Sequence, residues 1–232
     1  LKKIVANFIL RREKKDYLKE LPQKTELTRY IKLSSLEKTF YENIRLEAIA
    51  SLGLSDLIEQ KNTKKDSKEE TPTQKNIEIL SALSRLRQTA CHPALVEPSW
   101  TEQSSKHEEV LKILSRLLSN QHKVLVFSQF SSQLELLSLS LKNLKIRHEI
   151  LSGKTSQTKR VELVTNFQNS QFDVFLISLK AGGTGLNLTR ADFVLHLDPW
   201  WNPQAARQAS DRAYRMGQTR PVTVYHFIAE ET

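Results

Sequence analysis

Two arginines near the carboxyl terminus are spaced in a way that could bind phosphate groups. Arg212 and Arg215 lie in the segment DPWWNPQAARQASDRAYRMGQ, residues 198–218. A guanidinium group can hold phosphoryl oxygens through paired hydrogen bonds, and an arginine aimed at a transferring phosphoryl group accelerates the transfer by about 10³ to 10⁵. The alternative is an ordinary solvated surface, where an arginine contributes little.

A helix is predicted to position these arginines. Asn202 is a good helix cap, Pro203 a good first helical residue and Gly217 a natural terminator. One face of such a helix would carry amide and guanidinium groups: Gln204, Gln208, Arg212 and Arg215. Another face would carry small residues that allow close packing on a sheet: Ala205, Ala209 and Ala213.

A glycine-rich segment is the second candidate phosphate site. Of six glycines in the chain, Gly182, Gly183 and Gly185 fall within KAGGTGLNLT. Glycine permits positive φ, and successive exposed N–H groups can surround phosphate oxygens. The alternative is a plain turn after a strand.

The sequence Gly153-Lys154-Thr155 imitates the end of a nucleotide-binding phosphate loop, GxxxxGK[ST]. The first glycine of that motif is missing, because His148 occupies its position. We therefore do not expect a nucleoside triphosphate here, and contact of a lysine and hydroxyls with a nucleic-acid backbone is the better interpretation.

The elements that must position these residues alternate after residue 100. Predicted strands at 123–127, 146–151, 173–178, 192–197 and 222–228 are separated by helices at 106–119 and 131–143, and by one that contains Val161 and Phe167. This alternation predicts an α/β fold with a parallel sheet covered by helices. Ligands of such sheets bind beyond the carboxyl ends of the strands, which directs attention to loops 128–130, 152–156, 178–189 and 198–203.

The first hundred residues are predicted to be mainly helical. A short strand is expected at 27–33, a helix from Ser35 onward, a polar flexible loop at 61–75 and a helix that ends before 91–93. The lone Cys91 and its neighbour His92 are interpreted as structural, since the chain has no second cysteine for a metal set. For Trp201 we expect core packing.

Composition excludes several classes. The chain of 232 residues has one cysteine, so no internal disulfide can form. We therefore expect an intracellular location, where thiols are kept reduced. No apolar run is long enough to span a membrane. The net charge of +9 is spread along the chain and supports a polyanionic partner only weakly. The chain opens at Leu1 and its only methionine is Met216, so we expect a piece of a longer protein.

Six segments together resemble the carboxy-terminal RecA-like lobe of the SWI/SNF-type DNA-dependent ATPases of helicase superfamily two. They are FILRR at 8–12, LSRLRQTACHPAL at 83–95, KVLVFSQF at 123–130, LSGKTS at 151–156, SLKAGGTGLNLT at 178–189 and the segment 198–218. The ending DRAYRMGQ differs from the HRxGRxxR that is usual in RNA-directed branches. The resemblance implies three parts: a segment leaving the first lobe (1–20), a helical protrusion (21–100) and the RecA-like lobe (101–232).

The resemblance also implies roles for individual residues. Arg212 and Arg215 would be catalytic and face the nucleotide phosphates, Gln208 would support them, and Gly185 and Asn187 would lie near the nucleotide. The residues expected to face the DNA backbone, or to support the loop that does, are Gln129, Lys154, Thr155, Ser156, Lys180, Ala181, Gly182 and Trp200.

The implied ligands are ATP and Mg²⁺, with Mg²⁺ held mainly by a first RecA-like lobe of the same parent chain. The implied partner is double-stranded DNA, and DNA-bound proteins are an open class of further partners. No Walker A or Walker B sequence is present, so we expect the chain alone not to hydrolyse ATP. Two alternatives stay open: a nucleic-acid-binding or protein-interaction module that never meets ATP, and the lobe of an RNA or single-strand helicase.

Overall fold

The computed structural model describes residues 21–52, 72–181 and 185–232. The segment 1–20 with FILRR, the part of the predicted loop 61–75 that precedes residue 72, and Gly182 with Gly183 lie outside these ranges. The described elements, in chain order, are β1 (Lys24–Ile31), α1 (Ser35–Ser51), α2 (Pro72–Cys91), a 3-10 turn (Pro93–Leu95), α3 (Ser105–Ser119), β2 (Val124–Ser128), α4 (Ser131–Asn143), β3 (His148–Leu151), α5 (Gln157–Gln168), β4 (Val174–Ser178), β5 (Phe193–His196), α6 (Pro203–Ser210) and β6 (Val222–Ala229).

Six strands form one parallel sheet in the order β1-β6-β5-β2-β4-β3. Every residue of β2 and β4 is buried, as expected for strands covered on both faces. The five strands predicted after residue 100 are all present within two residues of their expected bounds. The α/β prediction, a parallel sheet between helices, is confirmed.

The two faces of the sheet pack into two separate hydrophobic clusters. Along β2, Val124 and Val126 join the cluster that includes α3 and α4, whereas Leu125 and Phe127 join the one that includes α5 and α6. This alternation follows from the two-residue period of a strand. The helices therefore lie on both sides, and the ends of the strands stay open for loops.

The strand predicted at 27–33 exists as β1 but belongs to the sheet. It pairs in parallel with β6 along its whole length, from Lys24 opposite Val222 to Ile31 opposite Ala229. Ile31 is buried in the core cluster of the sheet, and most of the strand is exposed, as suits an edge. The segment 21–100, predicted as a helical subdomain, thus also supplies the edge of the sheet.

Helix α1 is held against α3 by a buried carboxylate. Glu37 accepts a hydrogen bond from the Ser34 backbone N–H in a capping box, and its other oxygen accepts from the Ser105 N–H at 3.0 Å. Helix α2 begins at Pro72, so residues 72–75 are helical and not part of the predicted flexible loop. Proline suits a first helical turn because its missing N–H would have no partner there. None of the described helices has the length and hydropathy needed to cross a bilayer.

Candidate nucleotide and DNA interface

The loops that carry the predicted site residues meet at the carboxyl end of the sheet. The Leu179 N–H donates to the Ser128 carbonyl at 2.9 Å, and the Leu197 N–H donates to the Phe127 carbonyl at 3.0 Å. These bonds tie the loops that follow β4 and β5 to the end of β2. The structure therefore brings the predicted loops to one edge, as the parallel topology requires.

The glycine-rich segment lies directly against the arginine segment. Gly185 is exposed and has a φ of +62°, a left-handed conformation that favours glycine. Three residues later, the Leu188 N–H donates to the Arg212 carbonyl at 3.0 Å. Asn187, between them, is exposed. Of the predicted nucleotide residues, Gly185 and Asn187 are thus close in the fold to Arg212.

The predicted arginine helix is shorter than expected. Asn202 caps α6 by accepting from the Gln204 N–H at 3.0 Å, but the helix ends at Ser210 and not near Gly217. Beyond it the Arg212 N–H bonds back only three residues, to Ala209, and the Arg212 carbonyl is taken by Leu188. The chain after Ser210 therefore forms turns, one of which is bonded to the glycine-rich segment.

The predicted shared helical face of the glutamines and arginines is consequently wrong. Arg212 and Arg215 lie in turns after α6, with Arg212 buried and Arg215 exposed. The small face is partly as predicted, because Ala209 and Ala213 are buried in a core cluster while Ala205 is only half-buried.

Arg212 is a buried cation with an unused donor. Arg212 is 9% exposed, and its Nε donates to the Gln208 carbonyl at 3.4 Å. Its Nη1 is buried and has no hydrogen-bond partner among the described residues. Burial, together with the positive charge of Arg160, lowers the pKa of the Arg212 guanidinium. The Gln208 group that contacts Arg212 is thus the backbone carbonyl, and Gln208 itself is an exposed residue.

Arg160 is a neighbour of the site that sequence reasoning missed. It lies in the first turn of α5, and its Nε is also buried without a partner among the described residues. Two guanidinium groups close enough to affect each other, each with an unused buried donor, form a place suited to an anion. A single arginine in an amphipathic helix gives no signal of this in the sequence.

Gln218 is the second residue that the sequence did not point to. It joins the segment that follows the glycines to the turn that carries the arginines. Its buried side-chain Nε2 donates to the carbonyls of Thr189, Ala191 and Ala213 at 2.8 to 3.1 Å. Its Oε1 accepts from the Arg220 N–H at 2.9 Å. The amide therefore fixes the glycine segment relative to the turn that carries the arginines.

The loop 152–156 is a preformed turn with an exposed lysine. The Thr155 hydroxyl accepts from the Ser152 N–H at 3.0 Å, and the Ser156 hydroxyl caps α5 by accepting from the Lys159 N–H at 3.3 Å. Both hydroxyls keep a hydrogen to donate. Lys154 is exposed beside them.

The other residues expected to face DNA differ in exposure. Lys180 is exposed, whereas Ala181 is buried and its N–H donates to the Ser178 hydroxyl at 3.2 Å. Gln129 is half-buried, with an Oε1 that has no partner within the described part of the chain. Gly182 lies outside the described residues.

One of the two adjacent tryptophans, Trp201, differs from its prediction. Trp200 is half-buried, but Trp201, expected in the core, is 62% exposed. It lies in the loop between β5 and α6, next to Asn202, which caps that helix. Its ring packs against the Arg87 guanidinium, 5.1 Å from the ring centre.

Cys91 and His92 have structural surroundings. Burial raises the pKa of the Cys91 thiol to about 12, and His92 Nδ1 accepts from the Ala94 N–H at 3.2 Å to start the 3-10 turn. Over the described ranges, no cluster of three or more histidine, cysteine or acidic side chains could hold a metal ion.

Comparison with known proteins agrees with this architecture. Family sequence models match residues 1–95 (SNF2-related domain) and residues 105–217 (helicase conserved C-terminal domain). An uncharacterized ATP-dependent helicase of Mycoplasma genitalium is 35% identical over 233 residues, which cover 100% of this chain and 21% of that protein. The human SWI/SNF-related matrix-associated actin-dependent regulator of chromatin subfamily A member 1 is 32% identical over 242 residues, with 99% and 22% covered. The chain thus spans about a fifth of the length of these relatives.

Two solved structures are similar to this chain in fold. The Sulfolobus solfataricus SWI2/SNF2 ATPase core in complex with dsDNA is 30% identical and superposes with a TM-score of 0.72, covering 98% of this chain and 46% of that one. The Sulfolobus solfataricus SWI2/SNF2 ATPase C-terminal domain, 25% identical, has a TM-score of 0.70 over 90% of this chain and 81% of its own. The chain belongs to the SWI/SNF (SNF2-related) family and has the RecA-like fold of the helicase C-terminal lobe.

Proposed function

We propose that this chain is the second motor lobe of an ATP-dependent translocase on double-stranded DNA, of the chromatin-remodelling type. In this account a first lobe holds ATP and Mg²⁺, and Arg212 and Arg215 approach the phosphates from the second side. The loops at 152–156 and 178–181 and the residue Gln129 bind the DNA backbone. Closing and opening of the two lobes moves the protein along the duplex.

The observation that carries the proposal is the Arg212 guanidinium. It is buried, it has a donor nitrogen with no partner in the described part of the chain, and burial together with the like charge of Arg160 lowers its pKa. A buried donor nitrogen without an acceptor costs free energy that an arriving anion recovers. A phosphate group fits this place, because its oxygens accept several charge-assisted hydrogen bonds at once.

ATP, when bound, supplies the phosphoryl group whose transfer to water drives the motor. Arg212 and Arg215 would hold its phosphates, with Gln208 fixing Arg212 and Gly185 and Asn187 lining the approach. No part of a Mg²⁺ site is assigned to this lobe. The chain on its own is therefore predicted not to hydrolyse ATP, which a phosphate-release assay on the 232-residue chain checks.

DNA as the partner is supported by the solved relative with dsDNA and by exposed cations on the loops at the same edge, Lys154 and Lys180. The hydroxyls of Thr155 and Ser156 keep donors beside Lys154. Such groups contact phosphates and carry no sequence information, so we expect binding without sequence preference.

The proposal is tested by ATP turnover in the two-lobed protein that carries this chain. Alanine at Arg212 or Arg215 is expected to lower turnover by about 10³-fold or more and to leave duplex binding intact. Duplex DNA is expected to stimulate the unsubstituted protein more than single strands or RNA. Arg190, exposed at the opposite end of the sheet, offers a matched control as Arg190→Ala.

Each alternative has its own outcome. Near-normal turnover in both variants would remove the catalytic assignment and favour a binding or interaction module. Preferential stimulation by RNA or single strands would favour the other helicase branch.

The DNA contacts have a separate test. Lys154→Ala is expected to weaken duplex binding and to reduce the slope of log affinity against log salt by about one, because one phosphate contact is lost. An unchanged slope would contradict the contact of Lys154 with DNA.

A further inference from the structure

Arg87 in helix α2 reaches two loops at the carboxyl end of the sheet. Its Nη2 donates to the Pro199 carbonyl at 2.6 Å, and the guanidinium carbon lies 5.1 Å from the Trp201 ring centre and 5.7 Å from that of Phe130. Pro199 and Trp201 belong to the loop after β5, and Phe130 to the loop after β2. One side chain from the helical segment therefore contacts the loops that carry Trp200 and Gln129.

The same guanidinium faces a buried carboxylate that fixes the β2 loop. Asp198 accepts from the Ser128 hydroxyl at 2.7 Å and from the Gln129 N–H at 3.0 Å. Arg87 Nη2 lies 3.7 Å from Asp198 Oδ2. Burial raises the pKa of Asp198, while the hydrogen bonds from Ser128 and Gln129 and the charges of Lys106 and Arg87 act in the opposite direction. Arg87 thus helps to keep this carboxylate ionised as an acceptor.

We propose that Arg87 is a positioning residue that holds the loops of Gln129 and Trp200 in the arrangement that binds the DNA backbone. The inference rests on the proposed function. An arginine suits this task because its planar group offers edge donors to Pro199 and Asp198 and a face to the aromatic rings, which a lysine cannot do.

Arg87 acts through the loops and not on DNA itself. Its side chain is 18% exposed, and its Nη1 is buried. The guanidinium is already occupied by the carbonyl, the carboxylate and the rings. A phosphate at the surface would have to displace these contacts to reach it.

A matched control lies two residues away on the same helix. Arg85 is half-exposed and pairs with Glu47 of α1 at 3.2 Å. It shares the residue type, the charge and the helix with Arg87, and its ion pair joins α2 to α1. Arg85→Ala therefore reports the loss of one surface cation from α2.

The experiment measures DNA-stimulated ATP turnover of the two-lobed protein against duplex concentration at several salt concentrations. For Arg87→Ala we expect the duplex concentration for half-maximal turnover to rise about tenfold, the effect of losing one hydrogen bond to a charged group. We expect an unchanged salt slope, an unchanged KM for ATP and an unchanged turnover at saturating duplex. Arg87→Lys, which keeps the charge beside Asp198, is expected to recover part of the affinity.

Other results overturn the inference. A half-maximal concentration equal to that of Arg85→Ala would show that the loops do not depend on Arg87. A salt slope reduced by about one would show a direct phosphate contact. If Arg87→Ala does not fold, the same criteria apply to Arg87→Lys, for which a half-maximal concentration equal to that of the unsubstituted protein contradicts the role of the planar group. A lack of duplex stimulation in the unsubstituted protein would instead refute the proposed function.

Discussion

The two ends of the parallel sheet differ in whether their cationic side chains have acceptor partners. At the amino end, Asp173 accepts from Lys123 at 2.5 Å and from Arg147 through two bonds of 3.0 Å, and Asp192 lies 2.8 Å from His122. At the carboxyl end the guanidinium groups of Arg160 and Arg212 keep buried nitrogens with no partner within the described ranges.

We interpret the paired charges at the amino end as stabilising the fold, and the charges with unused donors at the carboxyl end as groups that bind a ligand. Burial alone would raise the pKa of Asp173, but hydrogen bonds from Lys123 and Arg147 hold it below its usual range. For Arg212 burial and the charge of Arg160 both act against the ionised form. Sites that bind anions carry such uncompensated charge at the expense of stability.

The largest stability effect is expected at the amino end. Asp173→Asn removes the carboxylate shared by Lys123 and Arg147 and leaves the mostly buried Lys123 without its partner. We expect the free energy of unfolding to fall by about 3 kcal/mol, as measured by denaturant titration. The exposed pair Lys159–Glu162 provides the control, since Glu162→Gln should cost about 0 to 1 kcal/mol. Equal losses in the two variants would contradict the structural role of Asp173.

A smaller effect is expected from pH, through the buried His196 at the carboxyl end of β5. Burial, and then the charges of His226 and Lys24, lower the pKa of His196 to about 3, from an ordinary value of 6.5. Between those values the unfolded chain binds a proton that the folded chain does not, so stability falls as pH falls below 6.5. We expect this group to contribute a loss of roughly 1.4 kcal/mol per pH unit.

The measurement is denaturant unfolding at pH 7 and pH 5. His196→Phe should lose about 2 kcal/mol less than the unsubstituted chain over this interval. The prediction fails if His196→Phe keeps the full pH dependence.

The smallest effect has the opposite sign. Arg212→Met removes a buried, uncompensated cation beside Arg160 and should stabilise the nucleotide-free chain by about 1 kcal/mol. Arg147→Met at the amino end should destabilise it, because Arg147 is paired with Asp173. Thermal unfolding of the two variants compares them directly. Destabilisation by Arg212→Met equal to that by Arg147→Met would erase the proposed difference between the two ends.

Strand periodicity predicted the sheet, but the details of the site required tertiary contacts. The apolar runs of β2 and β4 are buried on both faces and were identifiable for that reason. The length of α6 was not, because the helix ends at Ser210 and the turns beyond it are bonded to a distant segment, through the Leu188 N–H and the Arg212 carbonyl. Arg160 and Gln218 were missed for the same reason. Trp201 was predicted in the core from its residue type, whereas it lies largely exposed in the loop before α6, with its ring against the Arg87 guanidinium.

The central claim is that Arg212 and Arg215 bind the phosphate oxygens of ATP. The most direct test is an experimental structure of the two-lobed protein with duplex DNA and a non-hydrolysable ATP analogue. We predict that Arg212 Nη1, which has no partner among the residues that the structure describes, lies within about 3 Å of a phosphate oxygen of the analogue. An analogue bound with its phosphates away from both arginines, and Arg212 Nη1 still without an acceptor, would contradict the account.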